Sequence, residues 1–173
     1  MTEIDRDRLA AVLQLELDRF AGAHPRSREL YERAGESLIG GVPMPWMMRW
    51  AGGHPVFAAH GQGARIVDVD GHEYIDFALG DTGAMAGHSP AATANATAHQ
   101  AGHGITMMLP TEEAIWVAEE LTRRFRVPRW LFTLSATDAN RTALRMARQI
   151  TRRPKILVYS YSYHGTVDET FAV

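Results

Sequence analysis

The chain has 173 residues, 46% hydrophobic and 22% charged, with a formal net charge of −2 at pH 7 and no cysteine. This is the composition of a globular protein able to bury a core, and the missing cysteines exclude disulfides and thiolate metal sites. The basic pairs Arg123-Arg124 and Arg152-Arg153 are short and isolated, so nucleic acid is not an expected partner. Residues 1–8 are charged and lack the apolar stretch of a signal peptide. No run is long and apolar enough to cross a bilayer, so the expectation is a cytoplasmic protein without a membrane partner.

Over residues 5–20, Leu9, Val12, Leu13, Leu17 and Phe20 recur at helical spacing with charged residues between them, which predicts an amphipathic helix. Pro25 should end that helix or lie in the loop beyond, with a second short helix over about residues 27–36. Two glycines and two prolines punctuate Gly40–Trp50, which rules out a regular helix and predicts an extended segment rich in aromatics and methionine. Short strands should follow from Val56 to Phe77, with Asp70-Gly71 as a two-residue hairpin turn. Small residues dominate from Ala78 to Pro90, as in a loop that something approaches closely. Helices are expected at about 91–101 and 112–126, the second capped by Thr111 with Glu112 and Glu113 in its first turn. After Pro128 the pattern becomes strand (130–134), helix (138–150), strand (156–160), the alternation that opens a parallel α/β domain.

Three chemical motifs fail on inspection. Gly61-Gln-Gly63 lacks the third glycine of a dinucleotide fingerprint and precedes a hairpin. His99 and His103 have the spacing of helical metal ligands but no acidic partner, and Gly102 interrupts the helix. Asp68-Val-Asp70-Gly71 opens like a calcium loop, yet the closing glutamate is missing and a hairpin accounts for it better. No metal is therefore expected.

Two motifs carry more. Ser135-Ala-Thr-Asp-Ala-Asn140 and Tyr163-His164-Gly165 each follow an apolar run. Strand, tight turn and helix together aim free backbone N–H groups at an anion. An aromatic ring delivered from the next strand end suits a flat phosphorylated cofactor. Taken alone, Ser135, Thr137 and Asp138 would serve equally well as structural helix caps.

Together these segments resemble the cofactor-binding segments of class III aminotransferases, which use pyridoxal 5'-phosphate. The resemblance is closest to the glutamate-1-semialdehyde aminomutase and β-amino-acid aminotransferase branches. It implies an α/β, fold-type I PLP-dependent transferase. Residues 1–90 would supply a helix, arm and hairpin of the small domain, and 91–173 the start of the large PLP-binding domain. Ser135, Ala136 and Thr137 would bind the phosphate and Tyr163 would stack on the pyridine ring, with His164 and Gly165 beside it. Ala136 stands where the family has glycine, so the turn must run in a conformation open to alanine. Asp138 replaces the commoner glutamate.

On the substrate side, the resemblance points to the loop carrying Asp81 and Thr82, where a purely structural glycine-rich turn is an equal reading. The family's carboxylate-gripping arginine falls at Met47, and the nearest cation is Arg49. In an extended segment these two would face the same way about 6.6 Å apart. Arg49 could then be a displaced clamp or a solvated side chain beside Trp50. Trp46, Met47, Met48 and Trp50 suggest a bulky, apolar substrate.

The implied reaction moves an amino group between a small-molecule amino acid or amine donor and a keto or aldehyde acceptor. An aminomutase or racemase of the same fold, and an inactive binding or regulatory protein, are the alternatives. Lys155, the sole lysine, matches a family position without catalytic role, so no catalytic residue is expected in this segment. The resemblance implies the N-terminal part of a longer enzyme, forming a homodimer.

Overall fold

The computed structural model describes residues 4–170, in two units that divide between Ile105 and Thr106. In the first unit, the Asp5 carboxylate accepts from the Arg8 N–H at 2.9 Å and starts helix α1 (Arg6–Ala23). Its apolar residues Leu9, Val12 and Leu13 stay exposed. The helix ends just before Pro25, as expected, but Pro25 lies in no loop: it opens the next helix, α2 (Pro25–Ala34). At a first helical position the missing N–H costs nothing and the ring's fixed φ is already helical.

The cap of α2 comes from far along the chain. His24 precedes the helix without capping it, whereas Asp70 accepts from the Arg26 N–H at 2.7 Å, the Ser27 N–H at 3.0 Å and the Ser27 hydroxyl at 2.7 Å. That carboxylate sits in the turn of an antiparallel sheet with order β1-β2-β3, namely β1 (Ala58–Gln62), β2 (Arg65–Asp68) and β3 (Glu73–Ile75). The hairpin forms, but its turn is wider than the expected two residues. The Asp68 N–H bonds the His72 carbonyl at 3.0 Å, and Gly71 takes φ +90°. A three-residue loop ending on a left-handed glycine keeps the twist of the flanking strands. Asp68 fastens this loop through Oδ1, which accepts from Asp70 N–H at 2.9 Å and His72 N–H at 2.8 Å.

Gly40–Trp50 is not extended. It forms two 3-10 turns, Ile39–Gly41 and Pro45–Met48, with Gly40 and Gly41 at φ +69° and +70°. Proline forbids a continued helix but opens a single turn readily. Side-chain phase along this segment therefore does not have the period of a strand.

Beyond β3, Asp76 accepts from the N–H groups of Ala78 and Leu79, and its other oxygen meets His88 Nε2 at 2.7 Å. The hydrogen bond with His88 holds the Asp76 carboxyl below its usual range. Between these anchors Leu79, Gly80, Asp81 and Thr82 all adopt positive φ, at 54°, 52°, 51° and 80°. Helix α3 (Ala91–Ala101) follows.

The second unit contains α4 (Glu112–Phe125) and α5 (Ala136–Thr151). Thr111 occupies the N-cap position of α4 without making a side-chain cap bond. Trp130 donates from Nε1 to the Thr122 hydroxyl at 3.0 Å, which ties the segment after α4 back onto it. The expected strands at 130–134 and 156–160 are not formed. A strand needs a neighbour for its N–H and C=O groups, and among the described residues neither segment has one. Val42 in the first unit and Val167 in the second are the buried hydrophobic side chains among the described residues, while Leu134, Leu157 and Met108 are almost wholly exposed. No helix among the described residues is long and apolar enough to cross a membrane.

Asp70→Ala should lower stability by about 1–2 kcal/mol, the usual loss for a helix cap, measured by urea denaturation at neutral pH. Asp68 and Asp70 are both held below the ordinary carboxylate range. Burial opposes their ionisation, but hydrogen bonds from Tyr74 and His72 to Asp68, and from Ser27 and Arg26 to Asp70, outweigh it. Their contribution is therefore complete above the unfolded-state value of about 3.9 and is lost as pH falls through the lower folded values. The wild-type advantage over Asp70→Ala should shrink below about pH 4; an advantage that persists undiminished at lower pH would contradict the cap.

Candidate active site

Helix α5 begins where the sequence motif placed an anion. Ser135 is its N-cap, with the hydroxyl accepting from the Asp138 N–H at 3.1 Å and donating to Asp138 Oδ2 at 2.7 Å. Capping is thus realised, and it occupies the Ser135 hydroxyl. The amides of Ala136 and Thr137 have no partner among the described residues and lie in the first turn, where the helix dipole favours negative charge. Ala136 is right-handed helical, not left-handed, so alanine replaces glycine here without backbone strain.

The second motif is stitched onto this turn. The Thr166 N–H donates to the Thr137 hydroxyl at 3.2 Å, Asn140 Nδ2 donates to the His164 carbonyl at 2.9 Å, and Arg141 donates to the Thr166 carbonyl at 3.2 Å. Gly165, at φ +83°, lies so close to α5 that a Cβ on it would collide with the Thr137 hydroxyl oxygen. Tyr163, two residues before Gly165, is 77% exposed. The structure therefore brings Ser135, Ala136, Thr137, His164 and Gly165 together. Asn140, Arg141 and Thr166 are supports that the sequence reading did not assign. Their signal was present but weak: Asn140 and Arg141 lie one turn into the helix, on the side of its free amides.

In the first unit, Trp46, Met47 and Arg49 line one cavity of about 370 Å³ with Val42, Trp50 and Phe57. Arg49 and Met47 do not share the phase of a strand, because Met47 lies in a 3-10 turn and Arg49 just after it. The turn nevertheless directs both residues to the same cavity. Asp81 and Thr82 are exposed on the left-handed run and do not line it.

The model of the family described as aminotransferase class-III matches residues 47–173. The chain belongs to the class III aminotransferases. These fold-type I enzymes depend on pyridoxal 5'-phosphate. This class III chain is 39% identical over 145 residues to a glutamate-1-semialdehyde 2,1-aminomutase of Roseiflexus castenholzii, covering 83% of this chain and 33% of that protein. It superposes on the crystal structure of a glutamate-1-semialdehyde aminomutase from Pseudomonas aeruginosa PAO1 with a TM-score of 0.90 at 47% identity, covering 98% of this chain and 37% of that one. A β-phenylalanine aminotransferase from Variovorax paradoxus is similar with a TM-score of 0.83 at 30% identity, covering 90% of this chain and 36% of that one. The chain thus spans about a third of the length of the relatives it matches.

The residues at the start of α5 fit the cofactor's phosphate, since two amides without a partner among the described residues lie at a helix N-terminus. Gly165→Ala should separate the two turns, because the new methyl group meets Thr137 and the backbone is left-handed. The expected loss is about 1–3 kcal/mol. Weaker retention of pyridoxal phosphate should accompany it, read by the cofactor's absorbance after gel filtration. A variant with unchanged stability would contradict the packing described.

Proposed function

We propose that the protein is a PLP-dependent transaminase that moves an amino group between an amino acid or amine and a keto or aldehyde acceptor, with a bulky apolar substrate. The observation that carries this reading is the joined pair of turns, Ser135–Thr137 and Tyr163–Gly165, held by the Thr137–Thr166 and Asn140–His164 bonds. In that reading the amides of Ala136 and Thr137 hold the phosphate and Tyr163 covers the ring. When bound, the cofactor supplies the electron sink that amino-group transfer requires. The protein residues supply anchorage and orientation, and Lys155 has no part in the chemistry.

The cavity of Trp46, Met47, Arg49 and Trp50 supports the choice of substrate. Its aromatic and thioether walls suit an aryl or long alkyl group, and Arg49 offers a charge-assisted partner to a carboxylate. Asp81 and Thr82 are assigned to the substrate side through the loop that Asp76 and His88 anchor. A 2,1-aminomutase is the second reading, favoured by the aminomutase relatives. Met47, standing where the resemblance expects the carboxylate-gripping arginine, argues for the transaminase. We place the protein in the cytoplasm as a homodimer.

Full-length protein assayed with an aromatic β-amino acid and a keto acid should form the amino product, with little turnover of glutamate-1-semialdehyde. The reverse preference would establish the aminomutase. Arg49→Ala should raise KM for carboxylate-bearing donors about tenfold or more while sparing simple amines, matching the loss of about 1.5–3 kcal/mol for a hydrogen bond to a charged group. Equal effects on both donor types would make Arg49 structural. Tyr163→Ala should weaken cofactor retention with the fold intact, by a stacking contribution of about 1 kcal/mol. Unchanged affinity would remove Tyr163 from the site.

A further inference from the structure

We propose that His24, Asp68 and His72 form a binding site for a zinc-class divalent cation. The three side chains come from the elbow between α1 and α2 and from the β2–β3 turn. His24 and Asp68 are buried, and the His72 side chain is 43% exposed. His24 Nε2 stands 3.6 Å from Asp68 Oδ2, and His72 Nδ1 stands 3.1 Å from the same oxygen. All three ligand atoms lie within 4.8 Å of one another. Donors around a tetrahedral zinc, with bonds of about 2.0–2.1 Å, are about 3.3 Å apart. The set is therefore already at the scale of a coordination polyhedron.

The supporting bonds are those a metal site needs. His24 Nδ1 lies 2.8 Å from the Phe20 carbonyl, which can only accept, so Nδ1 carries the proton and Nε2 faces the cluster. Asp68 is fixed through Oδ1 by two backbone N–H groups, which leaves Oδ2 turned toward both imidazoles. Tyr74 Oη stands 2.7 Å from Oδ2 and 2.9 Å from His24 Nε2, bonded to the same carboxylate oxygen. Solvent reaches the cluster past the half-exposed His72.

Two imidazoles and one carboxylate select against calcium and magnesium, which take oxygen donors, and suit zinc and its neighbours. Bound there, the ion would join the helical elbow to the hairpin turn, whose His24–Tyr74 contact spans 50 residues of sequence. Its role is structural, and it shares no residue with those assigned to the cofactor. Sequence reasoning missed the site because the Asp68–Gly71 stretch was fully explained as a turn, while His24 lay in a different element.

The test titrates metal-free, full-length protein with Zn²⁺ against a chromophoric chelator and follows Co²⁺ substitution by visible absorption. The expected result is one equivalent per chain, tetrahedral-type cobalt bands and a higher Tm with zinc. His72→Gln, at a half-exposed position that should tolerate change, and His24→Gln should each weaken uptake at least tenfold, the scale on which even supporting residues of metal sites act. The His99→Gln/His103→Gln double variant should leave uptake unchanged. Absence of saturable uptake would overturn the proposal and leave the cluster as a hydrogen-bonded clamp. So would uptake that survives both single variants, or that depends on the His99–His103 pair.

Discussion

Two carboxylates two residues apart organise the first unit. Asp68 closes its own turn from within, and Asp70, set facing outward by that turn, closes the start of a helix more than 40 residues earlier. The arrangement replaces a local cap with a remote one, so the first turn of α2 is fully capped only when the hairpin is in place. Helix and sheet are thereby coupled through backbone donors as well as through packing. This matters in a unit with few buried apolar side chains, where much of the order must come from polar groups that are fully paired.

The second unit uses the same economy at its functional end. A single hydroxyl, that of Thr137, receives the backbone of the loop after Tyr163, and Gly165 allows the approach that makes this possible. The cap on Ser135 organises the helix start from the other side. Between them, two amides have no partner among the described residues at the point where the helix dipole is most positive. Anion binding here would follow from which hydrogen bonds the backbone does not make.

Much of this was legible in the sequence where the determinants are local. Helical spacing located α1, the cap signal at Thr111 and the alternation after Pro128 located α4 and α5, and the hydroxylic turn before α5 marked its cap. Asp70-Gly71 marked a hairpin, although the loop is one residue longer because Asp68 binds His72 as well as Asp70. What could not be read depends on distant partners. No feature near Pro25 announces that its helix is capped by Asp70. Nor do the apolar runs at 130–134 and 156–160 reveal whether a neighbouring strand will meet them. The Gly40–Trp50 segment failed for a different reason. Its prolines exclude a long helix, but two left-handed glycines and a proline-initiated turn give a compact path, and this reset the directions of Met47 and Arg49.

The four consecutive left-handed residues from Leu79 to Thr82 reverse the usual economics of mutation. Left-handed backbone disfavours a residue with a Cβ by about 1–2 kcal/mol, and only Gly80 escapes that cost. Backbone bonds from Asp81 to Ala78, Gly83 to Gly80 and Ala84 to Leu79 fold the run into turns, and Asp76 and His88 anchor it from its two ends. The segment therefore behaves like a bent spring clamped at its feet. Glycine at Leu79 or Thr82, ordinarily a weakening change, would relax it, whereas a change at the clamps would let the loop straighten and carry Asp81 and Thr82 away with it.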